Sequence, residues 1–271
     1  MDEETKKPIT YSNVWIENEN VGTTSDMNGV FQFNESNIGK NLIISAIGYE
    51  SQHILIDSSF LEIMLVPKIY LISEILVKPK KKTELIISKY KKSQINTYSG
   101  GSPQIYARYF PYKDEYKNTP FIKSIKIETY SKIASSFNLR FLTVNSNGEP
   151  NSDLLKDNLI INAKKGKRSL VIDDFKGAQI EIPQEGIFIA LEFLIIKENK
   201  CNVWTKNIKT GEKIKSTVSM PFIGAEKDED INNGWVYSKG KWKNDEFNSI
   251  FTNTIKNKIK YCIAMEVILT D

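Results

Sequence analysis

The stretch "VGTTSDMNGVFQF", Val21 to Phe33, sets Gly22, Asp26, Asn28 and Gly29 between two runs of strand character. Its aspartate is either a cation ligand or a turn former. In "DMNG" the acid holds the first turn position, where its carboxylate accepts backbone N–H bonds, and glycine holds the last, where a positive φ costs nothing. A calcium site needs several oxygens converging on one ion, and Asp26 has no nearby acidic partner, so turn chemistry accounts for it. Beyond the turn, in "GVFQFN", Val30 and Gln32 alternate with Phe31 and Phe33. The expectation is a strand with both phenylalanines facing a core.

Working outward, "SNVWIEN", "NLIISAIGY", "SQHILI" and "LEIMLV" are short, rich in Ile, Val and aromatics, and separated by Gly, Asn, Asp and Ser clusters. Turn signals at roughly ten-residue spacing mark an all-β sandwich. The pattern resumes near Ile105 with "FIKSIKIETY", "FNLRFLTVN", "NLIINA", "RSLVIDDF", "AQIEIP", "GIFIALEFLII" and "KIKYCIAMEVILTD". Between the two lies "KPKKKTELIISKYKKSQINTYSGGSPQ", a lysine run, then a short segment that could be helical, then a Gly-Gly-Ser-Pro break. The chain therefore reads as all-β, with a first sandwich over 1–79, a linker over 80–104 and a larger, jelly-roll-like sandwich over 105–271. In "GIFIALEFLII" apolar residues on both faces mark a central, doubly covered strand.

The run "PITYSNVWIENENVGTTSDMNGVFQF", followed by "LIISAIGYESQHILI" and "LEIMLVPKIYLISEILVKP", resembles the carboxypeptidase-regulatory-like domain, a transthyretin-like Greek-key sandwich. Gly22, Thr24, Asp26, Gly29 and Phe31 stand where that family has its glycine, threonine, aspartate, glycine and phenylalanine, and "IGYE", Ile47 to Glu50, matches its turn. The resemblance runs from about Pro8 to Pro79. It implies a structural module, usually without catalytic residues of its own, common in Bacteroidota envelope proteins including the N-termini of TonB-dependent receptors. "RFLTVNSNGEPNSDLLKDNLII" with "GIFIALEFL" is similar to a sandwich that often follows such domains in uncharacterised Bacteroidota proteins. The chain has no room after this for a receptor's plug and barrel, and a transporter is not expected. Nor is a zinc peptidase, which needs paired histidine and glutamate ligands.

Composition narrows the function classes. Lys and Arg number 37 against 33 Asp and Glu, a net charge of +4 that is small for 271 residues. Only Arg108, Arg140 and Arg168 are arginines; lysine alone suits bidentate phosphate or base readout poorly. The lysine run Lys78 to Lys82 has no interleaved aromatics and reads as a solvated linker, so no nucleic-acid partner is expected. His53, the one histidine, reads as a strand residue in "SQHILI". Cys201 and Cys262 form no CxxC pair; buried thiols or a bridge between neighbouring strands both remain open. No apolar run approaches the roughly eighteen residues that span a bilayer. The start "MDEETKKP" lacks a signal peptide's apolar segment, so the chain is either cytoplasmic or a mature form; the resemblance favours a periplasmic or surface setting with the signal removed.

Three features are candidate sites. Glu192 interrupts an apolar strand and is expected to be paired or at an exposed end. Asp228, Asp230 and Asn232 have the alternate spacing of a calcium loop, but Asn233 holds the sixth position and Lys239 the place of the bidentate glutamate, so an acidic turn is the expectation and no metal or cofactor is assigned. Trp235, Tyr237 and Trp242 are the ligand-binding candidates: either a sugar-stacking platform or, at period two, core residues. No Ser/His/Asp set or spaced acid pair can be assembled, so no enzyme is expected. Two functions follow: a non-enzymatic envelope scaffold or adaptor binding a protein partner, or a carbohydrate-binding module. Ring exposure distinguishes them.

Overall fold

A computed structural model describes residues 1–68, 83–90, 96–98, 102–206, 210–228, 233–244 and 261–271. The chain is all-β. In the first unit β1 (Asn13–Ile16), β2 (Gly22–Thr24), β3 (Asn41–Ser45) and β4 (Gln52–Leu55) form one antiparallel sheet in the order β2-β1-β3-β4. Alternation gives it two faces. Val14, Ile16, Leu42 and Ile44 enter a core with Ile9, Ile56 and Leu65. Asn13, Trp15, Ile43 and Ser45 fall on the other face, where Trp15 is fully buried. Both faces are therefore covered, one by the unit's own chain and the other by the second unit.

The opening turn forms as its residues dictate. Asp26 Oδ1 accepts the backbone N–H groups of Asn28 (2.8 Å) and Val30 (2.9 Å), and Gly29 takes a φ of 72°. The strand expected after it does not form. Phe31 and Phe33 do pack on the core, edge to face with centroids 6.0 Å apart, while Val30 and Gln32 face water, yet this segment joins no ladder. "LEIMLV" behaves alike: Leu61 and Ile63 pack inward, and pairing is confined to a single bridge between Leu65 and Asp2. Alternation sorts side chains between core and water whether or not the backbone finds a partner. The second layer of this sandwich is thus largely irregular chain.

The second unit packs two seven-stranded sheets face to face. Its strands are β5 (Glu84–Ser88), β6 (Asn96–Tyr98), β7 (Ile105–Phe110), β8 (Phe121–Ser131), β9 (Ser135–Val144), β10 (Pro150–Asp153), β11 (Leu159–Ala163), β12 (Gly166–Ile172), β13 (Ile187–Phe193), β14 (Lys200–Lys206), β15 (Lys213–Ser219), β16 (Phe222–Lys227), β17 (Gly234–Ser238), β18 (Lys241–Lys243), β19 (Tyr261–Ile263) and β20 (Met265–Thr270). One sheet runs β10-β9-β13-β7-β17-β18, with β11 also on β9; the other runs β19-β16-β8-β20-β5, with β12 on β8 and β6 on β16. Phe137, Phe141, Ile189, Leu191 and Phe193 of the first meet Ile125, Ile127, Met265 and Val267 of the second. The hairpin β14–β15 forms a separate two-stranded sheet.

Two expectations change. Residues 84–88 and 96–98, within the expected 80–104 linker, are strands: β5 pairs with β20 and β6 with β16. Where the sequence allows a helix, pairing with β20 makes Glu84–Ser88 a strand, with Leu85 and Ile87 packed on the core of the second unit. "AQIEIP" forms one bridge, Glu181 to Phe121, although Ile180 and Ile182 are buried. β13 is central as expected, every residue buried between β9 and β7. No disulfide joins the cysteines: Cys262 is buried in β19 and Cys201 half-buried in β14. Among the described residues no helix is long and apolar enough to cross a membrane.

Candidate functional site

The outward face of the β9-β13-β7-β17 sheet carries Phe188, Ala190, Ile105, Ala107 and Leu142, with Trp235, Tyr237 and Trp242 packed beside them. The first unit's sheet lies on this face, and a buried polar cluster joins the two. Glu192, 2% exposed, accepts from Asn13 Nδ2 across the seam (2.8 Å) and from Asn138 Nδ2 (3.1 Å). Arg140 holds Asp153 bidentately, at 2.8 Å through Nε and 2.7 Å through Nη2, and reaches Glu192 Oε2 at 3.4 Å. Burial opposes the Arg140 charge, but Asp153 and Glu192 outweigh it and raise the pKa. Asn13 also donates to the Pro103 carbonyl at 2.7 Å, Asn158 to the Thr10 carbonyl at 3.2 Å, and Ile195 N–H to Thr24 Oγ1 at 3.0 Å. Buried carboxylates survive only when their lone pairs are filled, and Glu192 meets that condition with partners from both units.

Close backbone approach completes the seam. A Cβ on Gly240 would collide with Ile43 Cδ1, and one on Gly48 would stand 2.9 Å from the Lys156 carbonyl; both glycines also have positive φ, 83° and 89°.

The sequence-selected residues divide at this seam. Trp235 meets Phe188 edge to face at 5.9 Å, and Tyr237 meets Trp242 likewise at 5.3 Å. All three rings are half-buried. Tyr237 and Trp242 line a small cleft of about 100 Å³ with Arg140, Asp153, Ser45 and Tyr49, well below the roughly 300–1,000 Å³ of ligand pockets. Burial raises the Tyr237 phenol to about 12; Arg140 and a hydrogen bond with Ser45 work against that rise, and Glu192 adds to it. Arg140 is already shared between two carboxylates and has little positive charge to offer an anion. Glu192 occupies the paired role expected of it.

Asp228 accepts from the backbone N–H of Asn233 (2.8 Å) and Gly234 (3.2 Å); Asp230 and Asn232 lie outside the described residues, as does the run Lys78 to Lys82. His53 is an exposed strand residue 3.5 Å from Glu17.

Sequence reasoning missed a larger recess. On the far side of the first unit's sheet, an apolar groove of about 820 Å³ runs between the sheet and its irregular cover, lined by Phe31, Phe33, Leu42, Ile44, Leu61 and Ile63. Its rim leaves Val30 54%, Ile38 47% and Phe60 80% exposed. The available signal was "SSFLEI", where Phe60 is out of step with the alternation of Leu61 and Ile63.

Among the curated proteins and the solved structures no match to the chain is found. Residues 1–77 match the family model of the CarboxypepD_reg-like domain, so the first unit is similar to that domain.

Proposed function

We propose that the protein is a non-enzymatic cell-envelope adaptor that binds a protein partner within an outer-membrane or surface assembly. The observation carrying this reading is the apolar groove of the first unit, rimmed by exposed Val30, Ile38 and Phe60; exposed apolar surface of this kind marks interaction sites in soluble proteins. The domain similarity over residues 1–77 supports a module that works by contact, and the envelope setting, in Bacteroidota, follows from the same resemblance. Glu192 supports the non-enzymatic side of the reading, because both its oxygens are committed to Asn13, Asn138 and Arg140. The sugar-stacking alternative at Trp235, Tyr237 and Trp242 draws less support, since those rings pack on one another, on Phe188 and at the seam.

The test is retention of a companion from native envelope by the tagged full chain. One dominant protein should be held at stoichiometric level through moderate salt, and Phe60→Asp should release it while leaving the melting temperature unchanged. Complete loss of the complex at moderate salt in the wild type would return the contact to electrostatics. Cleavage of peptide or glycan by the purified protein would replace the adaptor with an enzyme.

A further inference from the structure

The four tryptophans do not share one environment. Trp15 is fully buried, Trp235 and Trp242 are half-buried at the seam, and Trp204 is 68% exposed. Trp204 belongs to the hairpin β14–β15, which forms its own two-stranded sheet outside both seven-stranded ones. Period-two alternation gives this hairpin two faces. Val203, 6% exposed, turns toward the body of the protein. Lys200, Asn202 and Trp204 of β14 share the opposite face with Lys213, Lys215 and Thr217 of β15, and all six are exposed.

Register places the charges around the ring. Trp204 stands directly opposite Lys215, a pairing that brings Cβ atoms within about 4.5–5.5 Å. Lys213 follows roughly 7 Å along the same strand. None of the three lysines pairs with a carboxylate among the described residues, and the face carries no acid; Glu212 lies at the turn, bonded to the Thr210 hydroxyl. The net charge of the whole chain, +4, conceals this concentration.

We propose that the outer face of the β14–β15 hairpin docks on an anionic phospholipid surface, with Trp204 in the headgroup layer and Lys200, Lys213 and Lys215 against lipid phosphates. Tryptophan favours the membrane–water interface because its ring is apolar and its N–H polar. Lysine is a compact charge without directional demand, which fits a fluid layer of phosphates better than one fixed ligand. Beside the ring the hydroxyl proton of Thr217 is spent on Asn202 Oδ1 at 3.0 Å, and the polar groups that dominate the face are the lysine ammoniums. The hairpin lies on the second unit and the groove on the first, so either contact can fail without the other.

Co-sedimentation of the full chain with vesicles tests this. Binding is expected to mixed phosphatidylglycerol–phosphatidylcholine vesicles at low salt, to weaken as salt rises, and to be absent with phosphatidylcholine alone. K213E/K215E should weaken it at least about 25-fold, since each lysine contributes about fivefold at such a surface, and Trp204→Ala by several-fold. All these side chains are exposed, so unchanged melting temperatures are expected and make the loss attributable to the surface. Absence of binding to the anionic vesicles, or equal binding by wild type and both variants, would overturn the proposal. Binding to a soluble acidic polysaccharide without binding to vesicles would reassign the face to a glycan.

Discussion

Arg108 on β7 and Arg140 on β9 lie in the same seven-stranded sheet and each neutralises a buried carboxylate, but they point to opposite sides of it. Arg108 turns inward, across the sandwich, to Glu226 of β16 at 2.6 Å and to the Ile263 carbonyl at 3.0 Å, with Phe110 beneath its guanidinium. Arg140 turns outward to the seam, where it holds Asp153 and Glu192 while Glu192 is tied to Asn13 of the first unit. The first arginine fixes two sheets of one unit. The second neutralises the carboxylate that the first unit's Asn13 bonds across the seam.

The largest expected effect separates these roles. Arg140→Ala leaves the buried Glu192 and the half-buried Asp153 without their cation, at a cost of about 3–5 kcal/mol. Arg108→Ala removes one partner of a single carboxylate, Glu226, and is expected to cost at least about 1 kcal/mol less. Urea unfolding of both variants measures the difference, and equal losses would break the comparison. Loosening should also be local: in Arg140→Ala amide exchange should rise at Asn13 and Trp15 on β1, whereas in Arg108→Ala it should rise at β16 and β19.

Next in size is a pH effect at the same seam. Burial holds the Tyr237 phenol at about 12, against about 10 in an unfolded chain. Between these values the folded state keeps a proton that the unfolded state has lost, so this contribution is complete below about pH 10 and disappears as pH rises through about 12. After discounting for the half-exposed ring, the loss is about 1–2 kcal/mol. Tyr49 is also raised to about 12, by burial and then by its hydrogen bond to Asp2, so the informative quantity is the difference between wild type and Tyr237→Phe. Parallel pH curves would mean that the seam does not desolvate Tyr237.

The seam also shows what was legible in the sequence. Period two correctly sent Phe31 and Phe33 inward and covered β13 on both faces, because those properties follow from side-chain polarity along one strand. The ladder itself was less visible: "GVFQF" and "LEIMLV" have strand composition but no partner along most of their length, and "ELIIS" has a partner, β20, nearly two hundred residues away. Glu192 was legible as an anomaly, and its partners were not. Asn13 comes from β1 and Asn138 and Arg140 from β9, each unremarkable where it stands. Trp235, Tyr237 and Trp242 drew notice through their spacing, whereas Trp204, the exposed one, sits in "CNVWTK" with nothing local to distinguish its outward face.

The smallest expected effect returns to the opening turn, and it sharpens the contrast with the arginines by removing burial from the argument. Asp26 offers two good hydrogen bonds, to Asn28 and Val30 N–H, both at exposed positions. When Asp26→Ala removes the acceptor, water can solvate the two N–H groups, so the cost is the net value of the bonds, about 1 kcal/mol, and not the desolvation penalty that dominates at Arg140. Thermal unfolding with and without calcium measures this. The variant should melt slightly below wild type by the same interval in both conditions, since Asp26 acts as a turn acceptor. A wild-type melting temperature that rises with calcium while the variant's does not would make the carboxylate a ligand and overturn the turn reading.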